Sequence, residues 1–185
     1  MLMKNHYILN YNDSFINKHI DLTNNTPNSW ATIKVNAVES LTSNGLQFLL
    51  QTGLRPLNKI NLFVGPPEFD SAIHVDDLLQ SYAVNYVWGD SVSKMRWFEL
   101  ISVTSGTLAL TTSGTNFTIY NKSQVKLIEE IDVPKNTLML VRTNIPHQVS
   151  NYSNVKRYCL SARGSPTLKW EDAVEHFRPY FLEES

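Results

Sequence analysis

From Lys59 onward the chain is a succession of short runs rich in β-branched and aromatic residues. They read KINLFVG, YAVNYVW, RWFEL, GTLALTT, NFTIY, QVKLIEEI, NTLMLVR and KRYCLSAR. Gly, Pro, Asn, Asp or Ser punctuates nearly every gap between them, and no helical period interrupts the series. Short strands of this kind bury their apolar faces by closing into a sandwich or a barrel. A jelly roll is one member of that set and an immunoglobulin-like sandwich is another; periodicity leaves both open.

The ends of the chain read differently. WATIKVNAV (30–38) alternates Ile33, Val35 and Ala37 against Thr32, Lys34 and Asn36, the period of a half-buried strand. GLQFLLQTG (45–53) reads as a short helix with Gly53 placed to end it. In the tail TLKWEDAVEHFRPYF, residues Trp170, Val174, Phe177 and Phe181 form one apolar stripe at helical spacing. The expected organisation is a single domain over 1–185, with an α/β flank at 1–58, the β core at 59–164 and a helix at 165–185. The helices are expected on the outside of the sheet.

Composition narrows the function. The 185 residues carry a formal net charge of -1, which argues against a nucleic-acid or anionic membrane partner. No stretch has the ~18 consecutive apolar residues of a membrane span, and the first residues lack the apolar region of a signal peptide, so a cytoplasmic location is expected. The single cysteine, Cys159, excludes an intrachain disulfide and any CxxC site. A metal would therefore be held by histidine and carboxylate.

Of the five histidines, His6 and His19 have no acidic or histidine neighbour at ligand spacing, and His176 sits on the terminal helix where solvent exposure or capping is expected. His74 and His147 remain. His74 stands two residues before Asp76 in SAIHVDD, and on an extended chain residues i and i+2 face the same side. Asp77 fits that geometry less well. His147 follows the strand TLMLV and sits directly after Pro146. Two histidines and one carboxylate on a common face would leave three metal positions open, the facial triad of non-haem Fe(II) oxygenases. By itself HVD is a common tripeptide.

The strand RYCLSAR adds weight. Arg157, Cys159, Ser161 and Arg163 share one face, and Tyr158, Leu160 and Ala162 the other. If the polar face points into the barrel, its arginines need an anionic partner, and a ligand carboxylate suits the bidentate guanidinium. If it points outward, both arginines are simply hydrated.

The order H-x-D, a long β-rich gap, a distal His and an Arg ten residues further resembles the Fe(II)- and 2-oxoglutarate-dependent dioxygenases. The strings HVDD…YAVNYVW…W and IPHQVSNYSNVKRYCLSAR are similar to the aspartyl/asparaginyl β-hydroxylase-like branch and its small bacterial and phage relatives, over roughly 59–164. The resemblance implies a mainly β double-stranded β-helix (jelly roll, cupin-like) with flanking helices. It implies that His74, Asp76 and His147 bind Fe(II) and that Arg157 pairs with the distal carboxylate of 2-oxoglutarate. Arg163 is the alternative anchor or a substrate contact. Asn85 lies where that branch places a polar cosubstrate contact, often a histidine. Vertebrate aspartyl hydroxylases lack the triad carboxylate, whereas Asp76 is present here. The implied activity is O2-dependent hydroxylation of an amino-acid side chain, peptide or small metabolite, with succinate and CO2 as co-products.

Tyr82, Tyr86, Trp88 and Trp97 are candidates for the pocket mouth, with at least two expected in the core. The competing reading is a cupin-like metal module, or a metalloenzyme without 2-oxoglutarate. Against a typical cupin, HVD does not fit the ligand pattern HxH…E…H.

Overall fold

The computed structural model describes the chain except for residues 1–3, 12, 13, 18–20, 22, 25, 53, 55–58, 77–80, 90, 91, 102–104, 111–115, 164–166 and 183–185. In chain order its strands begin with β1 (His6–Ile8), β2 (Ala31–Asn36), β3 (Lys59–Gly65), β4 (Phe69–Asp70), β5 (Ile73–Val75) and β6 (Tyr82–Trp88). They continue with β7 (Ser93–Leu100), β8 (Thr107–Leu110), β9 (Asn116–Tyr120) and β10 (Val125–Val133). The last three are β11 (Thr137–Arg142), β12 (His147–Asn151) and β13 (Arg157–Arg163). The helices are α1 (Ala37–Ser40), α2 (Ser43–Gln51) and α3 (Trp170–Phe177).

Two antiparallel sheets face each other. One runs β1-β11-β6-β13-β3-β2, the other β10-β7-β12-β5-β9-β8, with β4 also paired to β12. Between β3 and β7 the chain alternates first sheet, second, first, second, and from β10 to β13 it returns second, first, second, first. The two passes interleave, so that β13 lies between β3 and β6 and β12 between β5 and β7. That winding is a double-stranded β-helix, a cupin-like jelly roll, and it removes the immunoglobulin-like alternative. The β8–β9 hairpin is an excursion between β7 and β10 that extends the second sheet beyond β5.

The first sheet is buried on both faces, which is why its strands are almost continuously apolar. Tyr82, Val84, Leu138, Leu140, Leu160 and Ala162 pack outward against Phe48 and Leu49 of α2 and Trp170, Val174 and Phe177 of α3. Ala83, Val87, Met139, Val141 and Cys159 point between the sheets and meet Met95 and Trp97 of β7. The second sheet has one wet face, where Arg96 and Lys94 of β7 pair with Glu130 of β10 at 2.5 and 2.6 Å.

Local chemistry sets the helix ends. The Asn36 side chain accepts from the amides of Val38 and Glu39 at the start of α1, and Thr42 accepts from Gly45 at the start of α2. Gly53, the expected stop of α2, lies outside the described residues. The terminal stripe holds only to Phe177. A single 3₁₀ turn at Arg178–Tyr180, with Pro179 in it, ends the helix, and Phe181 stacks on Tyr7 at 4.2 Å. Four short strands of two to five residues, β1, β4, β5 and β12, lie outside the runs that the sequence marks as strands. No described helix is long and apolar enough to cross a membrane.

Candidate metal centre and its chamber

β5 presents His74, and Asp76 follows directly after the strand, its amide donating to the Thr143 carbonyl at 3.2 Å. His147 opens β12 and is the register partner of His74 on β5 and of Trp97 on β7. The HxD spacing and the short β5–β12 pairing thus bring the three side chains to one point. One ligand atom from each of His74, Asp76 and His147 lies within 4.8 Å of the others. His74 Nε2 stands 3.6 Å from Asp76 Oδ1, and His147 Nε2 stands 3.9 Å from Asp76 Oδ2.

The protonation pattern suits a cation. His74 Nδ1 lies 2.8 Å from the Ala72 carbonyl and His147 Nδ1 lies 2.9 Å from the Ile145 carbonyl. A carbonyl only accepts, so each Nδ1 carries the proton and each Nε2 turns a lone pair toward Asp76. Burial pushes His147 down to about 4, which keeps it neutral. Burial alone would raise the Asp76 carboxyl. The Arg163 guanidinium overrides that and holds it well below the usual carboxylate range. Two imidazoles and one carboxylate, with the chain's one cysteine, Cys159, buried and its thiol pushed up by that burial, form a donor set that fits a divalent first-row ion such as Fe(II).

A cavity opens from the triad into the barrel. β13 lines it with Arg157, Cys159, Ser161 and Arg163, so the polar face of RYCLSAR points inward, not to solvent. Arg157 is 3% exposed, its Nε has no hydrogen-bond partner, and no described carboxylate is in salt-bridge reach of it. Asn85 on β6 is the register partner of Ser161, and the Asn85 Oδ1 and Ser161 Oγ atoms are likewise buried without partners. Arg163 is differently placed. It donates to Asp76 Oδ2 and lies over the Phe63 ring, 5.5 Å from its centre.

The other sequence candidates separate cleanly. His6 binds Glu129 at 2.7 Å and stacks on Trp97, a structural role, while His176 is exposed on α3. His19 and Asp77 lie outside the described residues. None of Tyr82, Tyr86, Trp88 and Trp97 is at the pocket: the first three pack on the outer face of the first sheet, and Trp97 is buried between the sheets. The aromatic lining comes from Trp30 and Phe63, which the sequence did not single out. Phe63 sits next to Leu62 of the outer core in an unbroken apolar run, so no pattern marked its inward face.

No family model and no curated protein sequence matches the chain. Solved structures do share its outline. An oxalate oxidase in complex with the substrate analogue glycolate is 12% identical over 90% of this chain and 76% of its own, with a TM-score of 0.41. E. coli YcfD is 10% identical over 88% of this chain, with a TM-score of 0.47; the match spans 42% of that protein's length. Peruvianin-I, a cysteine peptidase from Thevetia peruviana latex, gives 10% identity over 90% of this chain and 92% of its own, with a TM-score of 0.41. At TM-scores below 0.5 these likenesses concern the general course of the chain and say nothing of activity.

Proposed function

We propose that this protein is an Fe(II)- and 2-oxoglutarate-dependent dioxygenase acting on a small-molecule or peptide substrate. The observation that carries the reading is Arg157, a buried guanidinium without an anionic partner, in the same cavity as a His-Asp-His triad. Leaving such a charge unpaired is costly, and a ligand carboxylate would satisfy it. When bound, Fe(II) with 2-oxoglutarate and O2 supplies oxidative hydroxylation of a substrate C–H bond, releasing succinate and CO2.

The chain's own residues hold and orient. His74, Asp76 and His147 would hold the metal, with both imidazole protons kept on Nδ1 by backbone carbonyls. Arg163 fixes one oxygen of Asp76. Arg157 would clamp the far carboxylate of the cosubstrate, with Ser161 and Asn85 lining its path. Met95, Phe63 and Val149 give the cavity apolar walls that limit water near the metal.

The triad also supports a second reading, because its geometry makes no use of Arg157. In that reading the protein is a cupin-like metal module or a metalloenzyme without 2-oxoglutarate. Binding of 2-oxoglutarate to protein loaded with a redox-inert divalent metal separates the two. The dioxygenase reading expects binding that Arg157→Met weakens by about tenfold or more while metal affinity stays unchanged. Metal binding with no 2-oxoglutarate binding would leave the second reading standing.

A further inference from the structure

A second chamber shares Trp30, Phe63, His74, Asp76 and Arg163 with the first but does not reach Arg157. Four aromatic side chains, Trp30, Phe63, Phe69 and Phe117, stand in its walls. Trp30 stacks on Phe63 at 5.9 Å and on Phe69 at 5.2 Å, with interplanar angles of 19° and 13°. Phe117 on β9 stands edge-on to His74 at 5.7 Å.

Its uncharged polar lining is Thr32, Asn61, Ser71 and Asn116. Asn61 on β3 is 3% exposed, and its Oδ1 is buried without a hydrogen-bond partner. Besides the imidazole of His74, the described charged groups in the lining are Asp76 and Arg163, and these bind each other. The charge of Arg163 is already paired with Asp76, so an anionic ligand would meet a neutralised cation beside a carboxylate, whereas an uncharged one meets no such repulsion.

We propose that this chamber is the substrate site and that it takes a flat, uncharged ring bearing an N–H or O–H donor. The ring would lie against the Trp30–Phe69–Phe63 stack, and its donor would satisfy Asn61 Oδ1. A ligand held there adjoins His74 and Asp76, beside the metal position. The term substrate rests on the dioxygenase reading; ring binding itself requires neither metal nor cosubstrate.

Ligand-observed NMR titrations of the full chain test this with four probes: indole, benzothiophene, indole-3-acetate and N-acetyltryptophan amide. Benzothiophene keeps the shape of indole without the N–H donor, and indole-3-acetate adds a negative charge. Indole is expected to bind about tenfold or more tightly than either. Trp30→Ala should weaken indole by about tenfold and Trp30→Phe by much less, while Asn61→Leu should erase the preference for indole over benzothiophene. Tighter binding of N-acetyltryptophan amide than of indole assigns the ring to a residue within a chain, and the reverse order to a free small molecule.

Equal or tighter binding of indole-3-acetate would overturn the proposal, since Arg163 would then be recruiting an anion. Equal binding of benzothiophene, or no indole binding at all, would also overturn it. The 2-oxoglutarate titration is independent. Indole binding without 2-oxoglutarate binding sinks the dioxygenase reading and leaves a ring site; the opposite result sinks the ring site alone.

Discussion

His74 and His147 are direct register partners across the β5–β12 pair, and their rings stand 4.4 Å apart, centroid to centroid, tilted by 50°. Their Nδ1 protons go to separate backbone carbonyls, so both Nε2 lone pairs converge on the carboxylate of Asp76. Two neutral imidazoles at this distance tolerate each other, but two imidazolium ions would not. The pair is set up to share a cation that is not a proton.

Loss of either imidazole should therefore abolish tight metal binding. His74→Ala and His147→Ala are each expected to weaken Fe(II) or Co(II) by at least about a hundredfold, a larger loss than outer contacts cause. Isothermal titration of the metal-free variants checks this. Retention of affinity in both variants would place the metal elsewhere.

The same pair sets a pH dependence. His147 is held at about 4, below the usual 6.5, so its contribution to stability is complete above pH 6.5 and is lost as pH falls from there toward 4. Asp76, held below the usual carboxylate range, adds a further loss at still lower pH. The Tm of the metal-free protein should fall across the window from 6.5 to 4, and His147→Asn should flatten that fall. An unchanged slope in the variant would contradict the assignment.

Arg157 gives the opposite sign from a structural arginine. Its Nε is buried without a partner, so Arg157→Met should leave the Tm of the ligand-free protein unchanged or raise it. Excess 2-oxoglutarate should raise the Tm of the metal-loaded wild type and not that of the variant. A marked loss of stability in ligand-free Arg157→Met would show that the guanidinium supports the fold.

On the other face of the same strand, Leu160 is 1% exposed and packs in the outer core. Leu160→Ala should cost about 2–5 kcal/mol in urea denaturation. Leu108, 70% exposed on β8, should tolerate Ser within about 0.5 kcal/mol. Comparable losses at the two positions would contradict the described packing.

The alternation of RYCLSAR made its polar face readable before any fold was known, because a period of two survives wherever opposite faces meet different surroundings. KINLFVG lacks that contrast, and both of its faces are enclosed. Phe63 and Asn61 therefore went unnoticed as pocket residues. HVD was legible as a candidate pair through the i, i+2 rule. The partnership of His74 with His147 was not, because it depends on a single register pair between strands 73 residues apart in sequence. The second duty of Arg163, binding Asp76, is a contact of the folded chain that no local pattern encodes.

The most direct test of the central claim is the visible absorption of the protein under anaerobic conditions with Fe(II) and 2-oxoglutarate. The wild type should show a metal-to-ligand charge-transfer band that is absent in His74→Ala and lost or weakened in Arg157→Met. Stoichiometric Fe(II) binding with no such band at saturating 2-oxoglutarate would contradict that claim.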